Sequence, residues 1–162
     1  GSVLMVMVYA GGPISGGHFN PSVTLGAWLS GNFKSGDLIG YFVAQIGGGL
    51  LAAVVANYGL GLPVGSGMHL EATPALTAEF LGTFALVMVV LTTAVSSRAE
   101  GNSYFGLAIG FTVGAMAFAF GSISGGAFNP AVAFGGSLAR LLSWGDLWIY
   151  LLANIAASFV AA

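Results

Sequence analysis

A ten-residue segment recurs 109 residues further on, identical at eight of its ten positions. Ile14-Ser15-Gly16-Gly17-His18-Phe19-Asn20-Pro21-Ser22-Val23 returns as Ile123-Ser124-Gly125-Gly126-Ala127-Phe128-Asn129-Pro130-Ala131-Val132. Without a gap the match runs on to Gly36-Asp37-Leu38 against Gly145-Asp146-Leu147, and Tyr41, Ala44 and Ile46 recur as Tyr150, Ala153 and Ile155. Residues 14–53 and 123–162 share 18 identities in 40 positions. Biased composition supplies some of the Gly and Ala matches, but not Asn-Pro, Gly-Asp-Leu and Tyr in one register. Any fold for this chain must therefore build one substructure twice.

The solvent for that substructure is lipid. Of 162 residues 57% are hydrophobic and 5% charged, with a mean hydropathy of +0.95, whereas soluble domains carry roughly a quarter charged residues. Apolar stretches run at about 1–10 and near 37–57, 75–95, 104–122 and 145–162. The later ones approach the ~20 residues a helix needs to cross a bilayer. Polar punctuation separates them at Gly31–Gly36, Gly61–Pro74 and Ser96–Asn102. The 27 glycines point to helices packed backbone to backbone. With no cysteine, disulfides and thiolate metal sites are excluded, and a net charge of −2 argues against nucleic acid.

Three spans lie between the two copies. If each copied segment enters and leaves on one side, an odd number makes the copies enter from opposite faces, an inverted repeat. The same offset gives the spans beginning at 75 and 104 partners near −34 and −5. One whole helix and part of the next are therefore expected before Gly1, and the last helix is expected to continue beyond residue 162. The chain reads as one transmembrane channel domain over 1–162, with 1–58 an incomplete first repeat and 75–162 the second.

Within each copy, Asn-Pro opens a short helix. Asn20 is a favoured N-cap and Pro21 fits the first turn, where its missing N–H is no loss. The run to Leu29 is about 14 Å long at ~1.5 Å per residue, half a membrane. Two such half-helices from opposite faces bring Asn20 and Asn129 together near the midplane. Broken backbone survives at that depth only where protein buries it or it lines a water-filled cavity. A pore at the junction, with two Asn amides donating to a small, neutral, hydrogen-bonding permeant, meets both conditions.

Ser15-Gly16-Gly17-His18-Phe19-Asn20-Pro21-Ser22-Val23-Thr24 and Ser124-Gly125-Gly126-Ala127-Phe128-Asn129-Pro130-Ala131 resemble the two signatures of the aquaporin and glycerol-facilitator family, with Ser22 in place of the usual Ala. Tyr41-Phe42-Val43-Ala44-Gln45 and Ala78-Glu79-Phe80-Leu81-Gly82-Thr83 resemble its third and fourth helices. The resemblance covers essentially the whole chain. It implies an all-α membrane protein, an inverted-repeat bundle of six transmembrane helices plus two re-entrant half-helices, here lacking the first helix and part of the second. It also implies a homotetramer in the lipid bilayer, a passive channel for water or solutes such as glycerol or urea, no cofactor, and helix dipoles that repel cations at the Asn pair, as known for aquaporin-type pores.

The outer filter departs from the family. By resemblance an Arg is expected directly after the second Asn-Pro-Ala, and Val132 stands there; the other filter positions inside the chain are Ala117 and Gly126. A wider, less polar filter is expected, favouring glycerol- or urea-like solutes. His18 is expected to line the inner vestibule. Glu79, an ionisable group in an apolar span, is expected to be structural, accepting hydrogen bonds from re-entrant backbone. Asp37 and Asp146 are expected to cap helices, Phe19 and Phe128 to pack between the half-helices, and Trp144, Trp148 and Tyr104 to anchor at the interface. Lys34 and Arg98 on one side and Arg140 on the other place the mouth of the first half-helix in the cytoplasm, with the cell membrane as the expected location. The competing readings are a secondary transporter with broken helices, which would want an ionisable group beside the Asn pair, and a non-conducting structural membrane protein. No catalytic motif suggests an enzyme.

Overall fold

The computed structural model describes residues 1–162 and is all-helical. Its helices are α1 (Ser2–Ser15), α2 (Pro21–Leu29), α3 (Leu38–Val54), α4 (Ala72–Val90), α5 (Phe105–Ser124), α6 (Pro130–Leu138) and α7 (Leu147–Ala161). Four helical stretches, Ser35–Gly59, Ala72–Val95, Phe105–Ser124 and Trp144–Ala161, are long and apolar enough to span a bilayer. Both α3 and α4 end in a wider π turn, Val55–Gly59 and Leu91–Val95.

The 109-residue register governs helix boundaries to the residue. α1 and α5 end at Ser15 and Ser124, the short helices run Pro21–Leu29 and Pro130–Leu138, and α3 and α7 start at Leu38 and Leu147. Gly16 and Gly125 stop the longer helices in left-handed conformation (φ 76° and 84°), each N–H returning to a glycine carbonyl one turn back, Gly12 or Gly121, at 2.9 Å. A side chain would resist that backbone.

Helices approach through glycine. A Cβ on Gly110 would lie 2.5 Å from the Cβ of Met5, so α1 and α5 cross with backbone nearly touching; Gly49 of α3 faces the Ala131 carbonyl of α6 in the same way. In lipid, where apolar burial between helices gains little, such close van der Waals packing is the main source of association. α4 packs along α7 and α5, and Leu86, Val87 and Val90 form with Val8, Val23, Ile109 and Ala161 the largest buried apolar cluster. Through Val23 that cluster seats the first half-helix, α2, against α4.

Asp37 and Asp146 do not cap by side chain. Asp37 is at φ −93°, ψ −13°, and its carboxylate accepts no N–H; Asp146, at φ −100°, ψ 0°, is the same. A side-chain cap needs extended backbone at that residue, and each Asp instead closes a 3₁₀ turn, Ser35–Asp37 or Trp144–Asp146. In the second turn the cap is Ser143, whose Oγ accepts the Gly145 N–H at 3.1 Å.

Candidate functional site

Asn20 and Asn129 have the extended backbone that Asp37 and Asp146 lack (φ −155° and −162°). Each side-chain oxygen caps its own helix, accepting from Ser22 N–H and Ala131 N–H at 2.9 Å. The amide nitrogens cross over. Asn20 Nδ2 donates to the Phe128 carbonyl at 2.8 Å, and Asn129 Nδ2 donates to the Phe19 carbonyl at 2.9 Å. The half-helix N-termini are thus tied head to head by one bond used twice. An amide nitrogen has two hydrogens, so one remains on each Asn after the crossover.

The accepting carbonyls belong to strained residues. Phe19 and Phe128 lie at φ 47° and 48°, a region that costs a non-glycine residue roughly 1–2 kcal/mol. Their rings do not pack between the half-helices. The Phe128 ring fills the space over Gly82 of α4, and the Phe19 ring lies against Gly11 of α1. The reason is geometric: with the left-handed backbone turning each carbonyl towards the opposite Asn, the side chain is thrown outward onto a helix face that glycine leaves bare.

Two tyrosine hydroxyls hold the ends of the helices that lead into these loops. Tyr150 Oη donates to the Ser124 carbonyl at 2.5 Å, and Tyr41 Oη donates to the Ser15 carbonyl at 3.0 Å, one bond in both repeats. Only Tyr150 is fully buried. Tyr150→Phe is expected to lower stability by about 1 kcal/mol, the usual net value of one hydrogen bond, and Tyr41→Phe by less; thermal unfolding of the two variants in one detergent checks the order.

Glu79 of α4 gathers the second loop. Its Oε1 accepts from Ser124 Oγ (2.7 Å) and Ala127 N–H (2.9 Å), and its Oε2 accepts from Phe128 N–H (2.7 Å). The neighbouring Asn154 amide, oriented as the surrounding network requires, turns its nitrogen to Thr83 Oγ1 and to Glu79 Oε2 at 3.3 Å, and its oxygen to Asn129 N–H at 3.0 Å. A chain of hydrogen bonds thus runs from Glu79 through Asn154 to the backbone of Asn129.

Two cavities border the site, and only the first touches both Asn residues. One, of about 520 Å³, is walled by apolar groups including Leu4, Val90, Ile109 and Val113, reaches the Ala99–Asn102 loop, and ends on Asn20 and Asn129. The other, of about 530 Å³, is an open face of the first repeat along Tyr41, Gln45 and Gly49, whose second-repeat counterparts Tyr150, Asn154 and Ser158 are buried where α4 packs along α7. His18, Phe19, Asn129 and Val132 border both. Pro21, Pro130, Ser22 and Ala131 are buried in the first turns, and Val132 is half exposed. Gly126 stands against the backbone of Ala117 and Gly121, with 3.4 Å from its Cβ direction to each Cα. The expected filter positions Ala117 and Gly126 are therefore neighbours, while Val132 lies on the cavity wall beside Asn129.

Several elements had no reading in the sequence. Tyr9 of α1 donates to the Ser103 carbonyl at 2.8 Å and accepts from Leu107 N–H at 3.1 Å, so its phenol caps α5 from another helix. Gly65, Gly67 and Met68 hydrogen-bond along the Ala139, Arg140 and Leu141 carbonyls and hold Arg140 at φ 56°, where the first repeat has Gly31 at φ 78°. Gln45 and Asn154, both amides 109 residues apart, were the available signal for the polar groups behind the Asn pair.

The family model described as Major intrinsic protein matches residues 1–162. Among curated proteins, an aquaporin of the TIP type from Arabidopsis thaliana is 38% identical over 155 residues, covering 91% of this chain and 60% of its own length. A glycerol uptake facilitator-like protein of Lactiplantibacillus plantarum is 36% identical over 178 residues, covering 100% and 79%. An aquaporin of Methanothermobacter thermautotrophicus is 32% identical, covering 100% and 71%. The chain spans 60% of the length of the first two plant relatives it matches.

Proposed function

Because the chain belongs to the major intrinsic protein family, an all-helical multi-pass membrane family with an inverted repeat, we propose that it serves as a passive channel for water and small neutral solutes of the glycerol or urea kind. The observation that carries this reading is the reciprocal Asn pair. Each amide spends one hydrogen on the opposite loop and keeps one for a passing oxygen, at the end of the cavity that touches both Asn residues. Both half-helices aim their positive dipole ends there, which favours lone pairs and disfavours cations. The names of the relatives, aquaporin and glycerol uptake facilitator, agree with a cargo in this class.

The choice of solute rests on Val132, Ala117 and Gly126 as the outer filter. None is charged, so passage there is set by size and not by a fixed positive group. The test is stopped-flow shrinkage and reswelling of proteoliposomes with water, glycerol and urea while proton leak is followed. Rapid glycerol or urea uptake without proton leak supports the reading; water-only transport removes the wide-filter part, and no transport removes the channel. Val132→Arg is expected to slow glycerol about tenfold relative to water, ~1.4 kcal/mol of barrier.

The assembly we propose is a homotetramer in the cell membrane with one pore per subunit, a reading supported by the family resemblance and by the side assignment from Lys34, Arg98 and Arg140. Native mass spectrometry from detergent and fractionation of tagged protein test these two points separately.

A further inference from the structure

We propose that Thr24 is a positioning residue that fixes the tautomer of His18, holding the ring with its proton on Nδ1 so that the bare Nε2 serves as a hydrogen-bond acceptor at the cavity that touches the two Asn donors.

Three groups meet at the Thr24 hydroxyl. Thr24 Oγ1 lies 3.1 Å from the Asn20 carbonyl, Gln45 Nε2 lies 2.8 Å from Oγ1, and His18 Nδ1 lies 3.0 Å from it. A hydroxyl has one hydrogen to give and two lone pairs. Within a helix a threonine hydroxyl can bond the carbonyl one turn back, and the 3.1 Å contact assigns its hydrogen to Asn20. Gln45 then takes one lone pair, and with the hydroxyl hydrogen so placed His18 donates from Nδ1–H into the other. Turning the Gln45 amide over gives the same answer, because the hydroxyl hydrogen would go to the Gln45 oxygen and Nδ1 would again have to donate.

The ring is held in this pose by packing. Its centroid lies 5.2 Å from that of Phe33 and 5.7 Å from that of Tyr41. Nε2 lies beside Gly16, where a Cβ would stand 3.1 Å from it, and His18 borders the cavity that touches both Asn20 and Asn129. A neutral imidazole donates from one nitrogen and accepts at the other, and the bond made by one sets the role of its partner. The Asn pair supplies donors only. The Nε2 lone pair adds an acceptor for the hydrogen of an O–H or N–H solute.

Its value for the permeant rests on the proposed channel, but the tautomer itself does not, so the test needs no transport. Solid-state ¹⁵N NMR at pH 8 is made on the full chain in lipid, with exposed His69 replaced (His69→Gln) so that one histidine remains. The expected spectrum has the protonated-type shift on Nδ1 and the bare-type shift on Nε2. In Thr24→Val, which keeps shape but cannot accept, the proton is expected to move to Nε2; Thr24→Ser is expected to restore the wild-type pattern. A wild-type spectrum with the proton on Nε2, or a Thr24→Val spectrum unchanged from wild type, overturns the proposal. Should the valine variant fail to fold, the wild-type spectrum decides alone.

Discussion

Glu79→Ala is expected to abolish the folded protein in detergent. The carboxylate is fully buried and takes the Ser124 hydroxyl and the Ala127 and Phe128 N–H groups. Removing it leaves those donors without partners, at roughly 1–3 kcal/mol each, which together rivals the roughly 5–15 kcal/mol by which folded proteins are stable. Glu79→Gln is the sharper variant. One arm of its amide still accepts, but the NH₂ arm meets a donor, Phe128 N–H or Ala127 N–H whichever way it turns. It is expected to be almost as damaging as alanine, and size-exclusion profiles with thermal melts check both. A glutamine variant that melts with the wild type would show that the acceptor count does not govern this loop.

Gly49→Ala is the second large effect. A methyl there would overlap the Ala131 carbonyl in the first turn of α6, while Gly135 of α6 has its own Cβ direction 2.5 Å from the Gly49 carbonyl. Backbone stands on backbone, so no side chain can swing aside. The expected cost is about 1–3 kcal/mol for overpacking, and about 2–4 °C of melting temperature per kcal/mol in a chain of this size. The displaced α6 carries Asn129, so solute flux should fall with stability. Gly47→Ala, two residues away with nothing within 4 Å of its Cβ direction, is expected to be neutral or slightly stabilising, since alanine is favoured over glycine in helices by up to about 1 kcal/mol. Equal effects at 47 and 49 would mean that helix propensity and not contact sets the result.

The half-helices were legible residue by residue. Asn20, Pro21 and the Ser30-Gly31-Asn32 stop fix Pro21–Leu29 by local capping alone, and the second copy repeats it. The destination of Glu79 was legible too, because a carboxyl in an apolar span must find donors, and the nearest unpaired backbone is that of a re-entrant loop. The Phe19 and Phe128 rings were misread because sequence gives neighbours and not dihedrals: a left-handed residue reverses which group faces the partner. The Asp37 and Asp146 caps failed for the same cause, since composition at a helix start does not state the backbone angle there.

By itself, then, the sequence determined everything that follows from local chemistry and periodicity: lipid as solvent, helical spans, two capped half-helices and their equivalence at 109 residues. Tertiary structure alone decided which group each buried donor meets, from the Asn amides on the opposite Phe carbonyls to Tyr9 on α5 and the Ala139–Leu141 carbonyls on the 65–68 segment. Those bonds join residues up to 110 positions apart. Hydrogen bonds act over about 3 Å, and nothing in the order of residues states such a distance until the helices have packed.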